Sequence, residues 1–295
     1  MARLEVDYCR ALATAIFNNP DKVTFKPLVA KERFQALQSG GIDVLSRNTT
    51  WTFKRDNAYG FNFGPTLFYD GQGMMVTKDL GQQLSGADTR IVLEPGSALR
   101  NLNGAKICVQ AETTSEANLA DFFRRYDLQY TPVLFKVPKD MYTAYDRGSC
   151  SVATSEFSQL LVQKTTLRAP SQHVILGVLL SKEPLGPVVR HHDDQWFDII
   201  KWVAFGLIQA EEYGITSQTI DRALQSTDPS IRRFLGLEEN LGSMLGLSND
   251  FMVQIIRQVG NYSEIFDRNL QPLGLSRGAN ALWNEGGLLF APPFR

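Results

Sequence analysis

The sequence predicts an α/β protein made of two doubly wound lobes, each a sheet with helices on both faces. Three observations predict this. The 295 residues are about twice a typical domain, and 43% are hydrophobic and 11% aromatic, too apolar a composition for a disordered chain. Strand and helix signals alternate in two separate stretches, the pattern that builds parallel sheets. A helix closed by Gly and followed at once by a buried strand occurs in both stretches, at 32–45 and at 140–153.

In chain order, Val6, Cys9, Ala13, Ile16 and Phe17 recur at helical spacing, and Asn18-Asn19-Pro20 stops that helix. Val23, Phe25 and Leu28 predict a short strand. A helix over 31–39, with Phe34 and Leu37 inward, ends at Gly40-Gly41, and 42–45 is a short buried strand. The second stretch reads as strand 106–110, helix 115–125, strand 132–135, helix 139–145 and strand 151–154. Leu119, Phe122 and Phe123 share one face of its first helix. Beyond Lys164, 174–180 is an apolar extended run and 186–189 a short strand. Trp196, Ile199, Val203 and Leu207 mark a strong helix capped by Asp193 or Asp194 and ended at Gly214. Shorter helices are expected at 216–224 and 250–258, and the apolar tail is expected to pack on a lobe. The second stretch opens with a strand before its first helix and the first does not. An N-terminal segment carrying the first strand of lobe 1 is therefore expected to be missing from this chain.

Charge and composition exclude several functions. Thirty Lys and Arg against 31 Asp and Glu leave a net charge of −1, with no basic excess to grip a duplex, so no nucleic-acid partner is expected. The three cysteines and three histidines form no Cys-x-x-Cys, His-Glu-x-x-His or EF-hand spacing, so neither a metal site nor a cofactor is expected. His191-His192 beside Asp193-Asp194 reads as a polar loop and helix start. No apolar run reaches the ~18 residues that span a bilayer, and the first residues carry no signal-peptide apolar region.

In open parallel sheets ligands bind beyond the carboxyl ends of the strands. Three such loops are rich in polar groups. Residues 46–55 follow the strand at 42–45, and Thr49 or Thr50 can cap a helix whose first turns carry Arg55; N–H groups, hydroxyls and a guanidinium suit a carboxylate. Ala111-Glu112-Thr113-Thr114 opens the helix at 115 and forms a second anion seat. Thr154-Ser155-Glu156 places a carboxylate at a strand end, where it can accept an ammonium. Each feature also has an ordinary use: Thr-Thr as an N-cap, Arg55 as half of a surface ion pair, Glu156 as a first-turn acid. Asn48-Thr49-Thr50 and Asn261-Tyr262-Ser263 match the short glycosylation sequon, a pattern that arises often by accident.

Several segments carry a more specific signal. These are Asp-Val-Leu-Ser-Arg-Asn-Thr-Thr-Trp-Thr (43–52), Phe-Tyr-Asp-Gly-Gln-Gly-Met-Met-Val (68–76), Cys-Val-Gln-Ala-Glu-Thr-Thr (108–114), Ser-Lys-Glu-Pro-Leu-Gly-Pro (181–187), Asp-Asp-Gln-Trp-Phe-Asp-Ile-Ile (193–200) and the tail from Gln258. Together they resemble the substrate-binding components of bacterial general L-amino-acid ABC uptake systems, from about residue 4 to the end. The resemblance implies a type II periplasmic binding protein of the polar-amino-acid class, family 3. Its lobes are joined by a two-crossing hinge, with crossings near 71–78 and 176–181. It implies lobe 1 over 1–77, lobe 2 over 78–178, and a return to lobe 1 with a C-terminal helical extension over 179–295.

By the same resemblance Arg55 clamps the ligand's α-carboxylate, with Asn48 and Thr50 beside it. Thr114 makes a second carboxylate contact through its N–H, and Glu156 stands where the family has an acid, commonly Asp, for the α-ammonium. Cys108 and Cys150 fall where the family has a second-lobe disulfide, and Cys9 has no partner in this chain. Glu112 departs from the family, which usually has Gly there, and a positive φ would strain it. The implied protein is a periplasmic monomer, not an enzyme, that binds free L-amino acids and delivers them to permease subunits. Two rivals remain: a truncated remnant that does not bind, and a dehydratase on the same fold with Glu156 as its acid. A ligand-sensing regulator domain is weaker, since no helix-turn-helix precedes the lobes.

Overall fold

The computed structural model describes residues 2–84 and 97–295. The chain divides into two compact units. One comprises 1–27, 36–68 and 185–295, and the other 28–35 and 69–184. The elements are α1 (Ala2–Phe17), α2 (Arg33–Gln38), α3 (Phe53–Ala58), β1 (Phe61–Phe63), β2 (Phe68–Asp70), β3 (Gln72–Thr77), α4 (Lys78–Leu84), β4 (Ala105–Gln110), α5 (Thr114–Arg125), β5 (Tyr130–Phe135), α6 (Pro138–Asp146), β6 (Val152–Glu156), α7 (Phe157–Lys164), β7 (His173–Ile175), β8 (Glu183–Leu185), β9 (Val188–Arg190), α8 (Asp194–Glu212), α9 (Ile220–Ala223), α10 (Pro229–Phe234), α11 (Leu241–Met244), α12 (Phe251–Gln258) and α13 (Tyr262–Asn269). β2 and β8, which pair with each other, carry the chain from one unit to the other and back.

The second unit is built on a mixed five-stranded sheet in the order β5-β4-β6-β3-β7. β4 runs parallel to β5 and β6, whereas β3 is antiparallel to β6 and β7. Side chains alternate faces along a strand, so each short apolar run fills two cores. Met74, Val76, Ile107, Val109 and Val152 meet Leu119, Phe122 and Phe123 of α5 on one face. Met75, Cys108 and Ala153 meet Met141, Tyr142 and Tyr145 of α6 and Leu160 of α7 on the other. Helices therefore cover both faces, as the alternation predicts.

The first unit departs from its expected pattern. Residues 23–28 form no strand, and Phe25 is 46% exposed. Residues 42–45 contribute only the bridge between Leu45 and Val188. A lone extended segment is not stable without a neighbour, and among the described residues no strand of this unit lies beside either segment except β9. That strand pairs antiparallel with β1, Phe61 opposite Arg190. The unit is instead held by helices. α1 packs against α8, α12 and α13, Tyr8 Oη donates to the Ile200 carbonyl at 2.7 Å, and Tyr262 Oη donates to that of Leu67 at 2.6 Å. The helix expected at 216–224 shortens to α9, while 250–258 matches α12. In the tail, Phe294 is buried edge-on against Trp202 and Phe234. Asn261 is buried, with its side chain capping α13 and donating to the Ile215 carbonyl at 3.0 Å, so that sequon is engaged in structure.

Cys108 on β4 and Cys150, just before β6, form the disulfide that the resemblance implies, their Cα atoms 5.7 Å apart. Cys9 is a buried free thiol, pushed up to about 12 chiefly by burial. The bridge spans a sequence separation of 42, and loop closure of that size is worth about 4 kcal/mol. Reductant is expected to lower the denaturant-unfolding free energy of the wild type by about 2–5 kcal/mol. The Cys108→Ala/Cys150→Ala variant starts at the lower value and does not respond to reductant.

Candidate functional site

In the first unit the loop before α3 gathers three predicted residues. Thr49 and Thr50 are buried, and neither caps α3; the cap is Thr52, whose hydroxyl accepts from the Arg55 N–H at 3.3 Å. The reason is register. Thr50 bridges antiparallel to Leu185, and the Thr49 carbonyl accepts from the Gly186 N–H at 3.3 Å, so both are committed to the sheet edge before the helix begins. Arg55, only 9% exposed, turns back over the loop, and its Nη1 donates to the Thr50 carbonyl at 2.9 Å. Asn48 sits at φ +33°, and its N–H donates to the Glu5 carboxylate of α1. Asn48, Thr50 and Arg55 thus lie together, with a planar guanidinium of the shape that pairs with carboxylates. Glu5 went unrecognised in the sequence because an acid in a first turn reads as ordinary dipole matching.

In the second unit the loop after β4 folds as the sequence suggests. Thr113 caps α5, its hydroxyl accepting from the Glu116 N–H at 3.3 Å, and Thr114 is the first helical residue. The helix start directs backbone N–H groups and the positive end of its dipole outward, a seat for a carboxylate. Glu112 adopts φ +61°, the strained conformation anticipated for a residue in place of Gly. Its carboxylate is mostly exposed and lies 3.6 Å from the Lys31 ammonium. Its backbone N–H donates to Glu116 at 2.7 Å.

Glu156 ends β6 at the N-cap position of α7, yet its side chain makes no cap bond. It is 8% exposed and accepts from the Ser155 hydroxyl at 2.7 Å. Among the described residues Ser155 is the donor found to its side chain, and a buried carboxylate of this kind is stabilised by donors or by positive charge.

Two further acids were not singled out in the sequence. Glu183 of β8 is 2% exposed and collects Thr114 Oγ1 at 3.1 Å, Asn118 Nδ2 at 2.7 Å and Ser181 Oγ at 2.6 Å. Asp70 of β2 accepts from the Ser158 hydroxyl and from the Ser158 and Gly71 N–H groups. Its carboxyl is raised to about 6, chiefly by burial; hydrogen bonds from Ser158 and Gly71 oppose the rise, and the charge on Glu156 adds to it. Gln72, fully buried, ties the same region together through Nε2, which donates to the Ser115 carbonyl and to Thr154 Oγ1, each at 2.9 Å. The only sequence signal for these residues was their place inside the segments 68–76 and 181–187, since periodicity says nothing about which donors surround an acid. Among the described residues, no group of three or more His, Cys, Asp or Glu side chains could hold a metal ion.

The model of the bacterial extracellular solute-binding proteins, family 3, matches residues 4–270. The general L-amino acid-binding periplasmic protein AapJ of Rhizobium johnstonii is 52% identical, over 100% of this chain and 84% of that protein. The glutamate/glutamine/aspartate/asparagine-binding protein BztA of Rhodobacter capsulatus is 44% identical, over 99% and 83%. Among solved structures, an ABC transporter periplasmic binding protein from Brucella ovis with glutathione bound is 46% identical. It superimposes with a TM-score of 0.91 over 99% of this chain and 89% of that one.

The conformation at Glu112 yields a direct test. Glu112→Gly is expected to be more stable than Glu112→Ala by about 1 kcal/mol in urea unfolding, because only Ala keeps a Cβ at positive φ. Equal stabilities would show that the turn stores no strain.

Proposed function

Because the chain belongs to the bacterial extracellular solute-binding proteins of family 3, we propose that it is a periplasmic receptor for free L-amino acids. It delivers them to the permease subunits of an ABC transporter. The observation that carries this reading is a pair of buried opposite charges on different units: Arg55 over the Thr50 carbonyl in one, and Glu156 beside Ser155 in the other. These charges address the two groups that every amino acid shares. Arg55, with Thr50 and Asn48, takes the α-carboxylate; the Thr114 N–H at the start of α5 adds a second donor to it; Glu156 takes the α-ammonium.

No covalent step is required. Capture consists of replacing the ligand's hydration with charge-assisted bonds, which are roughly twice as strong as neutral ones. Micromolar affinity corresponds to about −8 kcal/mol. A ligand that engages both units favours the arrangement in which it touches both, and its differential affinity shifts the population toward that state. Glu112 does not obstruct this role, since its carboxylate is exposed and near Lys31.

One finding widens the ligand class. Glutathione is bound in the Brucella ovis relative, and the γ-glutamyl end of glutathione carries a free α-carboxylate and α-ammonium. The same clamp therefore suits γ-glutamyl peptides as well as single amino acids.

A thermal-shift screen of the twenty amino acids and glutathione is the first test. Stabilisation by several of them is expected, and each ligand is recovered chemically unchanged. Turnover of any of them would favour the dehydratase reading, and no stabilisation at all the non-binding remnant. By calorimetry, Arg55→Ala abolishes binding of every ligand that the wild type binds, and Glu156→Gln weakens each by about 10- to 100-fold, the worth of a hydrogen bond to a charged group. Loss of only some ligands on Arg55→Ala would sink the universal clamp.

A further inference from the structure

The charge that receives the ammonium in the proposed receptor does not stand alone. Asp70 and Glu156 both belong to the second unit. Gln72, two residues after Asp70, lies opposite Glu156 in the β3–β6 ladder. Ser158, two residues after Glu156, donates both its N–H and its hydroxyl to Asp70. The Phe157 N–H, between them, donates to the Gly71 carbonyl at 2.8 Å. The first turn of α7 is thus fastened at two consecutive residues to the end of β2 and the residue after it, and Glu156 is the residue immediately before that turn. The backbone there has no slack: a Cβ at Gly71 would stand 2.8 Å from Leu179 Cδ1 and 2.9 Å from the Ser181 carbonyl oxygen.

We propose that Asp70 is a positioning residue for Glu156, holding the first turn of α7 so that the Glu156 carboxylate is presented to the ligand's ammonium. This rests on the amino-acid receptor reading and adds to it a coupling between ligand and proton. Glu156 is the charged group that acts on Asp70. Other ionisable side chains on the neighbouring elements include Tyr69 beside Asp70, Glu183, engaged by Thr114, Asn118 and Ser181, the exposed Lys182, Tyr142, whose phenol is raised by burial, His173 of β7, whose imidazole is lowered chiefly by burial, and Lys164 at the far end of α7. With the site empty, two carboxylates in one enclosed region favour a proton on Asp70 near pH 6. An ammonium at Glu156 supplies the missing positive charge, favours ionised Asp70, and drives that proton off. The sign follows: a proton lost on binding means that affinity rises with pH through 6 and falls below it.

The experiment is calorimetry of L-glutamine, whose side chain does not titrate, in buffers of differing ionisation enthalpy at pH 6 and pH 8. The wild type releases about 0.3–0.5 proton per ligand at pH 6 and less than about 0.1 at pH 8. Asp70→Asn releases none at either pH and binds more weakly, and Asp70→Glu restores part of the release. Ser158→Ala removes one donor to Asp70, so the pH of greatest release moves upward. No release by the wild type at pH 6, or equal release by Asp70→Asn, overturns the proposal.

If the wild type takes up no L-glutamine, that result counts against the receptor reading, and carbon-13 carboxyl titration of the ligand-free protein decides the Asp70 proposal. Asp70 is expected to titrate near 6, lower in Glu156→Gln, and the Ser158 amide is expected to exchange faster in Asp70→Asn. An Asp70 that titrates in the ordinary carboxylate range, or is indifferent to Glu156→Gln, overturns it.

Discussion

An ionised side chain can leave water only where hydrogen-bond partners replace its hydration, and an unpartnered one forfeits several kcal/mol. That constraint organises the candidate residues within each unit. Arg55 is enclosed because the loop ahead of α3 turns the Thr50 carbonyl toward it, and the loop keeps its shape because Glu5 receives the Asn48 N–H. Glu183 is enclosed because α5 and the segment before β8 bring it three donors. Glu156 is enclosed beside the Ser155 hydroxyl, and its charge acts on Asp70.

The same constraint explains why these groups lie where they do in the fold. Helix starts leave backbone N–H groups without intrahelical partners, and two of those that follow strands of the second unit's sheet are α5 after β4 and α7 after β6. Thr113 satisfies the first and Asp70 the second. The acid that precedes α7 is thereby spared from capping it, and Glu156 is left for other work. Asp70 and Glu183 stand on the two strands that pass between the units. Each binds the first turns of a helix whose start bears a predicted ligand contact, so the crossing strands and the contact residues of the second unit form one connected hydrogen-bonded body.

How far the sequence could be read depended on the kind of signal involved. In the second unit the order strand, helix, strand, helix, strand was legible because buried strands flanked by helices have short apolar runs with Gly or polar caps between them. The first unit was less legible at 23–28, where Val23, Phe25 and Leu28 look like a strand but no strand among the described residues pairs with them. Thr49 and Thr50 looked like caps and were not, because a cap is chosen by where the chain leaves the sheet, and the bridge of Thr50 to Leu185 moves that point to Thr52. Glu112 was legible as a misfit only through the resemblance, since the family usually has Gly there and a positive φ strains any other residue.

The chain by itself determined its class of fold, the two apolar faces of the central sheet, and the charged residues near strand ends, because all three follow from the local spacing of residue types. It did not determine which acids would be buried together, or which donors would hold them. Asp70 and Ser158 are 88 residues apart, and Thr114 and Glu183 are 69 apart. Only the closing of the sheet brings such partners within reach. Hydrogen bonding and charge coupling act over a few ångströms in space and leave no periodic trace along the chain, so the tertiary structure alone decided them.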